Sequence, residues 1–390
     1  MRALLPIALA ALSSGPGPDQ SAVPAGQPAP VAPASIAPAQ PTPAPDTAPA
    51  DFTAYMGEVR AKALAQGVSA ATLDRELATL TPNPRVIDLD RAQPDDSARV
   101  RPSFRSYLAG HVDDARVRRG QSIAATHAAQ LSAIETRYGV PAPLLLALWG
   151  IETSYGANAG SFDLVRSLAT LAWEGRRRAL FERELIASLK LIDQGRVTRA
   201  RLVGSWAGAT GQPQFLPSSI ARYAVDGDGD GRADLWASGP DTLSSIANYL
   251  RDNGWMAGGD WGVPAYVPPT LERWRLRSIS PARSCARPLA AHSRWISVGD
   301  WRTLGVVPLG KPFPSDDTLA TLIEPDGEGN GAYLTYGGYR AILAYNCANF
   351  YALSAGLLAD RIAERARAVG AVTAGGSVQQ PDSAPAAASR

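Results

Sequence analysis

The stretch VPAPLLLALWGIETSYG, residues 140–156, constrains the fold more than any other part of the chain. Pro141 suits a first helical turn, and an almost purely apolar run follows it. Leu144, Leu148 and Glu152 then fall at i, i+4 and i+8, with Ala147 and Ile151 at i+3 and i+7. That spacing places them on one stripe of an α-helix, the stripe a core covers. A single glutamate, Glu152, therefore shares the buried face. A carboxylate there is costly to ionise, so its pKa should rise and it can hold a proton near neutral pH, as a general acid must. The competing reading is a last-turn glutamate that bends out to solvent or pairs with an arginine.

The rest of the chain has the apolar content for such a core. Of its 390 residues 45% are hydrophobic and 19% charged, enough for one large domain or two ordinary ones. From residue 51 to about 255 helical periodicity dominates. DARVRRGQSIAATHAAQLSAIETRYGV predicts one long amphipathic helix ending at Gly139. RRALFERELIASLKLIDQG predicts another closed by Gly195, and PDTLSSIANYLRDNGW a third stopped by Gly254. From about 262 to 335, prolines, short Val/Tyr/Trp runs and Gly-containing turns predict a small strand-rich insertion, and helices return over residues 338–368. The expected architecture is mainly α (α+β), a helical domain over residues 51–370 with its core at about 130–255.

The flanks read differently. One Arg, a short apolar run and then small residues make the N-terminus resemble a secretory signal peptide, followed by a Pro/Ala-rich disordered linker up to residue 50. Residues 371–390 read as a disordered tail. No apolar run is long enough to span a bilayer, and no Cys follows the first one to accept a lipid anchor. The expectation is an exported, soluble periplasmic protein.

A net charge of +2 without a dense Lys/Arg block gives no support for a nucleic-acid partner. His111, His127 and His292 are scattered and lack metal-ligand spacing, which disfavours imidazole catalysis or a zinc site. Cys285 and Cys347 are open to two readings, one disulfide or two buried thiols.

Downstream of Glu152 lies GSWAGATGQPQFLPSS, residues 204–219. Its small residues let backbone approach a ligand closely, Ser205 and Gln214 offer a hydroxyl and an amide, and Trp206 and Phe215 offer faces for a sugar ring. An ordinary tight loop with its aromatics packed inward is the alternative. Together with ALWGIETSYG, this loop resembles the lytic murein transglycosylase B family of lysozyme-like, peptidoglycan-cleaving enzymes. The resemblance runs from about Phe104 to Ala359 and includes FRSYL, RRRALFERELI, DGDGDGRADLW, IANYLRDNGW and AYNCANFYAL in one order.

The resemblance implies a lysozyme-like helical core in which Glu152 alone serves as acid and then base, with no cofactor in the chemistry. The substrate it implies is the bond between N-acetylmuramic acid and N-acetylglucosamine in glycan strands. The product would carry a 1,6-anhydro ring, with no water consumed. Ser205 and Gln214 would line the cleft near Glu152. Arg177 and Arg178 match the family's paired arginines, which contact substrate carboxylates; a solvated helix face is the rival reading. Tyr107, Tyr249, Tyr345, Asn346 and Tyr351 match cleft-lining positions, the tyrosines to stack on sugars or hold Glu152, Asn346 to hydrogen-bond substrate. The Glu152 motif has no partner carboxylate close by in sequence, as a two-carboxylate glycosidase would need.

DGDGDGRADLW begins like an EF-hand loop, with Asp226, Asp228 and Asp230 at positions 1, 3 and 5, Gly231 at the sharp turn, and Arg232 offering a carbonyl at position 7. Position 12 is Ala237, so the usual bidentate Glu is missing. The resemblance makes Asp241 the closing ligand of a structural Ca²⁺ site. Two other functions fit parts of the chain: a muramidase that hydrolyses the same bond, and an inactive peptidoglycan-binding scaffold.

Overall fold

The computed structural model describes residues 51–93, 102–278, 282 and 284–374, with side chains up to residue 364. The expected signal peptide, linker and most of the expected tail lie outside the described residues. The first half is helical: α1 (Phe52–Ala65), α2 (Ala70–Leu77), α3 (Pro84–Arg91), α4 (Phe104–His111), α5 (Asp114–Thr126), α6 (Ala128–Tyr138), α7 (Ala142–Thr153), α8 (Leu164–Glu174) and α9 (Arg178–Asp193). Next come α10 (Pro217–Tyr223) and α11 (Gly239–Asp252). Short polar side chains start many of them: Asp51, Ser69, Asn83, Ser103, Asp113, Asp163 and Ser238 each accept a first-turn N–H of the helix they precede.

Helix α7 is apolar nearly all round, and the fold covers it accordingly. Leu144 through Leu148 are all buried, and α5, α6, α11 and α15 (Asn349–Ala374) pack around the helix. The strand-rich segment holds α12 (Ala286–Leu289), α13 (Val298–Thr303) and a five-stranded antiparallel sheet. Its strands are β3 (Gly262–Tyr266), β4 (Ile296–Ser297), β5 (Val307–Pro308), β6 (Leu319–Ile323) and β7 (Ala332–Thr335), in the order β4-β6-β7-β3-β5. Val263, Val298, Trp301, Ala320 and Leu334 form a second, smaller core under it. The mainly helical class with a small β element is thus the observed one.

One helix expected to be continuous is broken, and the returning helical segment is sharply bent. The long helix ending at Gly139 divides at His127, whose φ of −114° and ψ of 26° leave the helical region between α5 and α6. The returning helix divides into α14 (Gly337–Tyr345) and α15, bent by 116°. The break holds Asn346 and Cys347, and Cys347 forms a disulfide with Cys285 across a Cα–Cα distance of 5.5 Å. Among the described residues, no single helix is long and apolar enough to cross a membrane.

Candidate active site

Glu152 sits in the last turn of α7 and is 6% exposed. Burial pushes its carboxyl up from 4.5 to about 8, and a hydrogen bond from Tyr351 pulls in the opposite direction. That bond, from the Tyr351 hydroxyl to Glu152 Oε1, measures 2.5 Å and joins α7 to α15. The C-terminal end of a helix is the negative end of its dipole, which also favours the neutral acid. Among the described residues, no charged group contributes to the Glu152 shift. The site therefore holds a neutral, proton-bearing carboxyl at physiological pH.

The chain turns sharply after this residue. Ser154 and Tyr155 both take positive φ, 51° and 61°, and the Tyr155 hydroxyl donates to the Arg116 carbonyl at 2.7 Å. The Thr153 hydroxyl donates to the Gln212 carbonyl at 2.9 Å and accepts from Gly156 N at 3.0 Å. Trp149 Nε1 donates to Gln212 Oε1 at 3.0 Å. Residues 203–215 are thereby fastened to the end of α7. The pairing of β1 (Phe162–Asp163) with β2 (Val203–Gly204) fastens them a second time. Gly204 is required here, because a Cβ would lie 2.0 Å from the Ala209 carbonyl oxygen.

Tyrosines surround the carboxyl. The Glu152 charge and burial together raise the pKa values of Tyr107, Tyr345 and Tyr351, burial being the larger cause in each. The Tyr345 hydroxyl donates to the Pro213 carbonyl at 2.6 Å, and that of Tyr249 to the Ala344 carbonyl at 2.7 Å. Tyr107 is buried, stacks on His111 with ring centroids 3.9 Å apart, and its hydroxyl has no hydrogen-bond partner among the described residues. Asn346 is 1% exposed, and both atoms of its amide likewise lack a partner there.

The other expected residues are placed as follows. Gln214 takes a φ of 51°, and its amide donates to the carbonyls of Gly211 and Ala159 at 2.8 and 3.0 Å. Ser205 closes its own turn, Oγ accepting from Ala209 N at 3.0 Å. The expectation that Trp206 and Phe215 present faces to a sugar is corrected. Both are buried, and Phe215 is enclosed by Tyr223, Tyr249 and Tyr345. Arg177 donates to Asp90 at 2.8 Å and lies over the Phe181 ring, while its Nη1 is buried without a hydrogen-bond partner among the described residues. Arg178 donates to the Ala172 carbonyl and lies over the Tyr55 ring. No contact joins either arginine to Glu152 among the described residues. Sequence reading missed Thr153 and Gln212. Their signal was adjacency, Thr153 to Glu152 and Gln212 to Gln214.

In the acidic loop, oxygens of Asp226, Asp228 and Asp230 lie within 4.8 Å of one another. Gly231 turns the chain at φ +88°, and its N–H donates to Asp226 at 2.8 Å. Arg232 N donates to Asp230 at 2.8 Å. Asp241 does not join this cluster. It is fully buried, and its two oxygens accept Gly227 N and Asp234 N at 2.8 and 2.6 Å, stapling the loop to α11.

A helical core around a buried carboxyl at a helix end, with a small β insertion, is the lysozyme-like architecture. The chain belongs to the Transglycosylase SLT domain family, which matches residues 51–360. It is 40% identical over 129 residues to membrane-bound lytic murein transglycosylase B of Escherichia coli K12, covering 33% of this chain and 36% of that protein. The chain thus spans little more than a third of that relative's length. Among solved structures it resembles SltB3 of Pseudomonas aeruginosa in complex with NAG-NAM-pentapeptide, at a TM-score of 0.72 and 39% identity over 81% of this chain and 80% of that one. The Escherichia coli lytic transglycosylase Slt35 in complex with calcium aligns at a TM-score of 0.64 and 25% identity, over 80% of this chain and 93% of that one.

Proposed function

We propose that the protein is a peptidoglycan lytic transglycosylase and that Glu152 is its acid and base. The observation that carries this reading is a buried Glu152 still protonated at neutral pH, with no second charged group acting on it. The Glu152 proton passes to the glycosidic oxygen between N-acetylmuramic acid and N-acetylglucosamine, and the C1–O bond breaks. The muramoyl C6 hydroxyl then bonds to C1, and the Glu152 carboxylate takes the hydroxyl proton. The anhydro ring closes without water, and the acid is regenerated. The usual two-carboxylate hydrolase carries a second carboxylate at the scissile bond, and among the described residues none acts on Glu152; product mass separates the muramidase reading.

Substrate binding falls to groups with unused hydrogen-bonding capacity. Asn346 offers an amide donor and acceptor and Tyr107 a hydroxyl, and Arg177 Nη1 is a donor suited to a lactyl or peptide carboxylate. Ser205 and Gln214 shape the cleft wall, and Tyr249, Tyr345 and Tyr351 position Glu152. The protein acts in the cell envelope, exported to the periplasm by its N-terminal segment.

Asp226, Asp228 and Asp230 suit a hard divalent cation such as Ca²⁺ by donor type and convergence, with the Arg232 carbonyl as a further oxygen. Asp241 acts in this site by bracing the loop from behind. The ion stiffens the segment between Gln214 and α11 and has no part in the chemistry. Chelation should lower Tm, with Ca²⁺ at about a hundred times Kd restoring about 2.7 kcal/mol; a Tm indifferent to chelator in the wild type refutes the site.

The test of the activity is mass spectrometry of fragments released from purified peptidoglycan by the wild type and by Glu152→Gln. Anhydro-ended fragments from the wild type alone support the proposal. Ordinary reducing ends make the protein a muramidase, and no fragments from a folded wild type favour a binding role.

A further inference from the structure

A cavity of about 480 Å³ lies outside the Glu152 site. One wall is the Arg105, Leu108, Ala109 and Val112 face of α4, at i, i+3, i+4 and i+7. The other is the Leu357, Asp360, Arg361 and Glu364 face of α15, with the same spacing. Pro264 of β3 and Leu309 to Lys311, just after β5, close the third side. These two helices turn different faces to the catalytic acid. Tyr107 on α4 and Tyr351 on α15 point to Glu152, and neither lines the cavity.

The charges on the rim are unequal in their pairing. Lys311 bridges Asp260 and Asp360 at 2.7 and 3.0 Å, and Arg361 donates to Asp114 and the Val112 carbonyl at 2.7 and 3.1 Å. Arg105 and Glu364 have no ion-pair partner among the described residues. Among the described residues the cavity therefore offers one unpaired guanidinium and one unpaired carboxylate over an apolar lining of Leu108, Val112, Leu309 and Leu357. Its volume suits a small molecule or a few amino-acid residues. A ligand that satisfies both charges carries a carboxylate and an ammonium group.

We propose that this cavity is a second, non-catalytic site that takes the peptide stem of peptidoglycan, Arg105 binding a stem carboxylate and Glu364 a stem amine. This rests on peptidoglycan being the substrate. The site holds a strand by its peptide while the cleft works on the sugar bond.

The test uses the full chain carrying Glu152→Gln and the free stem pentapeptide, without sugar, in calorimetric titrations. Ala109→Trp fills the cavity from an exposed helix position. It should weaken pentapeptide binding by about tenfold or more, the loss expected when one charged hydrogen bond is blocked. Amidating the peptide carboxylates should weaken binding similarly in the parent protein and have no further effect once Arg105→Ala is present. In the catalytically intact chain, Ala109→Trp should raise KM for peptide-bearing strands at unchanged kcat and leave turnover of peptide-free glycan unaltered. No pentapeptide binding at millimolar concentration, or equal binding in Ala109→Trp, overturns the proposal. Anhydro products from peptide-free glycan are scored separately: their absence refutes the transglycosylase reading, whatever the titrations show.

Discussion

Replacing Glu152 by Gln should stabilise the protein, and increasingly so as pH rises. In the folded chain burial holds the Glu152 carboxyl protonated up to about 8, against an ordinary value of 4.5. An unfolded glutamate is ionised throughout that interval, so the folded state carries the extra proton. Stability contributed at this position is therefore greatest below about 4.5 and falls until the folded group itself ionises near 8. At about 1.4 kcal/mol per pH unit, the loss is about 3 kcal/mol at pH 7 and about 5 kcal/mol above pH 8. The Glu152→Gln side chain has nearly the same shape, still accepts the Tyr351 hydroxyl, and has no proton to lose. Urea unfolding of both proteins across this pH range measures the difference directly. It should be near zero at the acid end and reach several kcal/mol at the basic end. A difference that stays flat with pH, or a variant that loses ground as pH rises, refutes a buried neutral acid.

On the proposed reading the same proton governs turnover, so kcat/KM should fall as pH rises through about 8. In Tyr351→Phe the hydrogen bond that lowers the Glu152 pKa is gone, and the basic limb should move to higher pH; an unmoved or lowered limb counts against the assignment. Gly204→Ala drives a Cβ to within 2.0 Å of the Ala209 carbonyl oxygen in a buried loop, and should cost about 1–3 kcal/mol by urea unfolding together with most of the activity. The Asp326 carboxylate accepts Phe104 N and Arg105 N at 2.5 and 3.3 Å, capping the helix that carries Tyr107 from the loop between β6 and β7. Asp326→Ala should cost about 1 kcal/mol and raise KM through the displaced Tyr107 hydroxyl, and rescue by Asp326→Asn should be partial.

The parts of the fold legible in the sequence are those written in local periodicity. Helix α7 declares itself by apolar spacing behind Pro141, and the burial of Glu152 follows from the same register. The break at His127 leaves no such mark, because AATHAAQ contains neither Gly nor Pro, and tertiary packing decides where the helix turns. The break at Asn346 carries Cys347, whose partner Cys285 lies 62 residues away in sequence, so no local periodicity marks it. Side-chain direction in the 204–219 loop was illegible for a related reason. Nothing in its composition tells whether Phe215 faces a ligand or the rings of Tyr249 and Tyr345. Asp241 shows the same limit: its type and position allow a metal ligand, and only the folded loop reveals that two backbone N–H groups already occupy its oxygens.

What the site does with one carboxyl follows from how its two protonation states are held. Burial and the negative end of α7 favour the neutral acid, the state the proposed reaction needs when a glycosidic oxygen arrives. Left alone, those influences would make the carboxylate formed by proton transfer too costly to persist until the C6 hydroxyl attacks. Tyr351 opposes them, because its O–H donates to Glu152 Oε1 and a charged acceptor strengthens that bond. Burial thus favours the acid before bond cleavage and the tyrosine steadies the base after it. Both effects act on the same oxygen-bearing group, so the proposed reaction, which begins with proton donation and ends with proton recovery, can proceed without a second carboxylate.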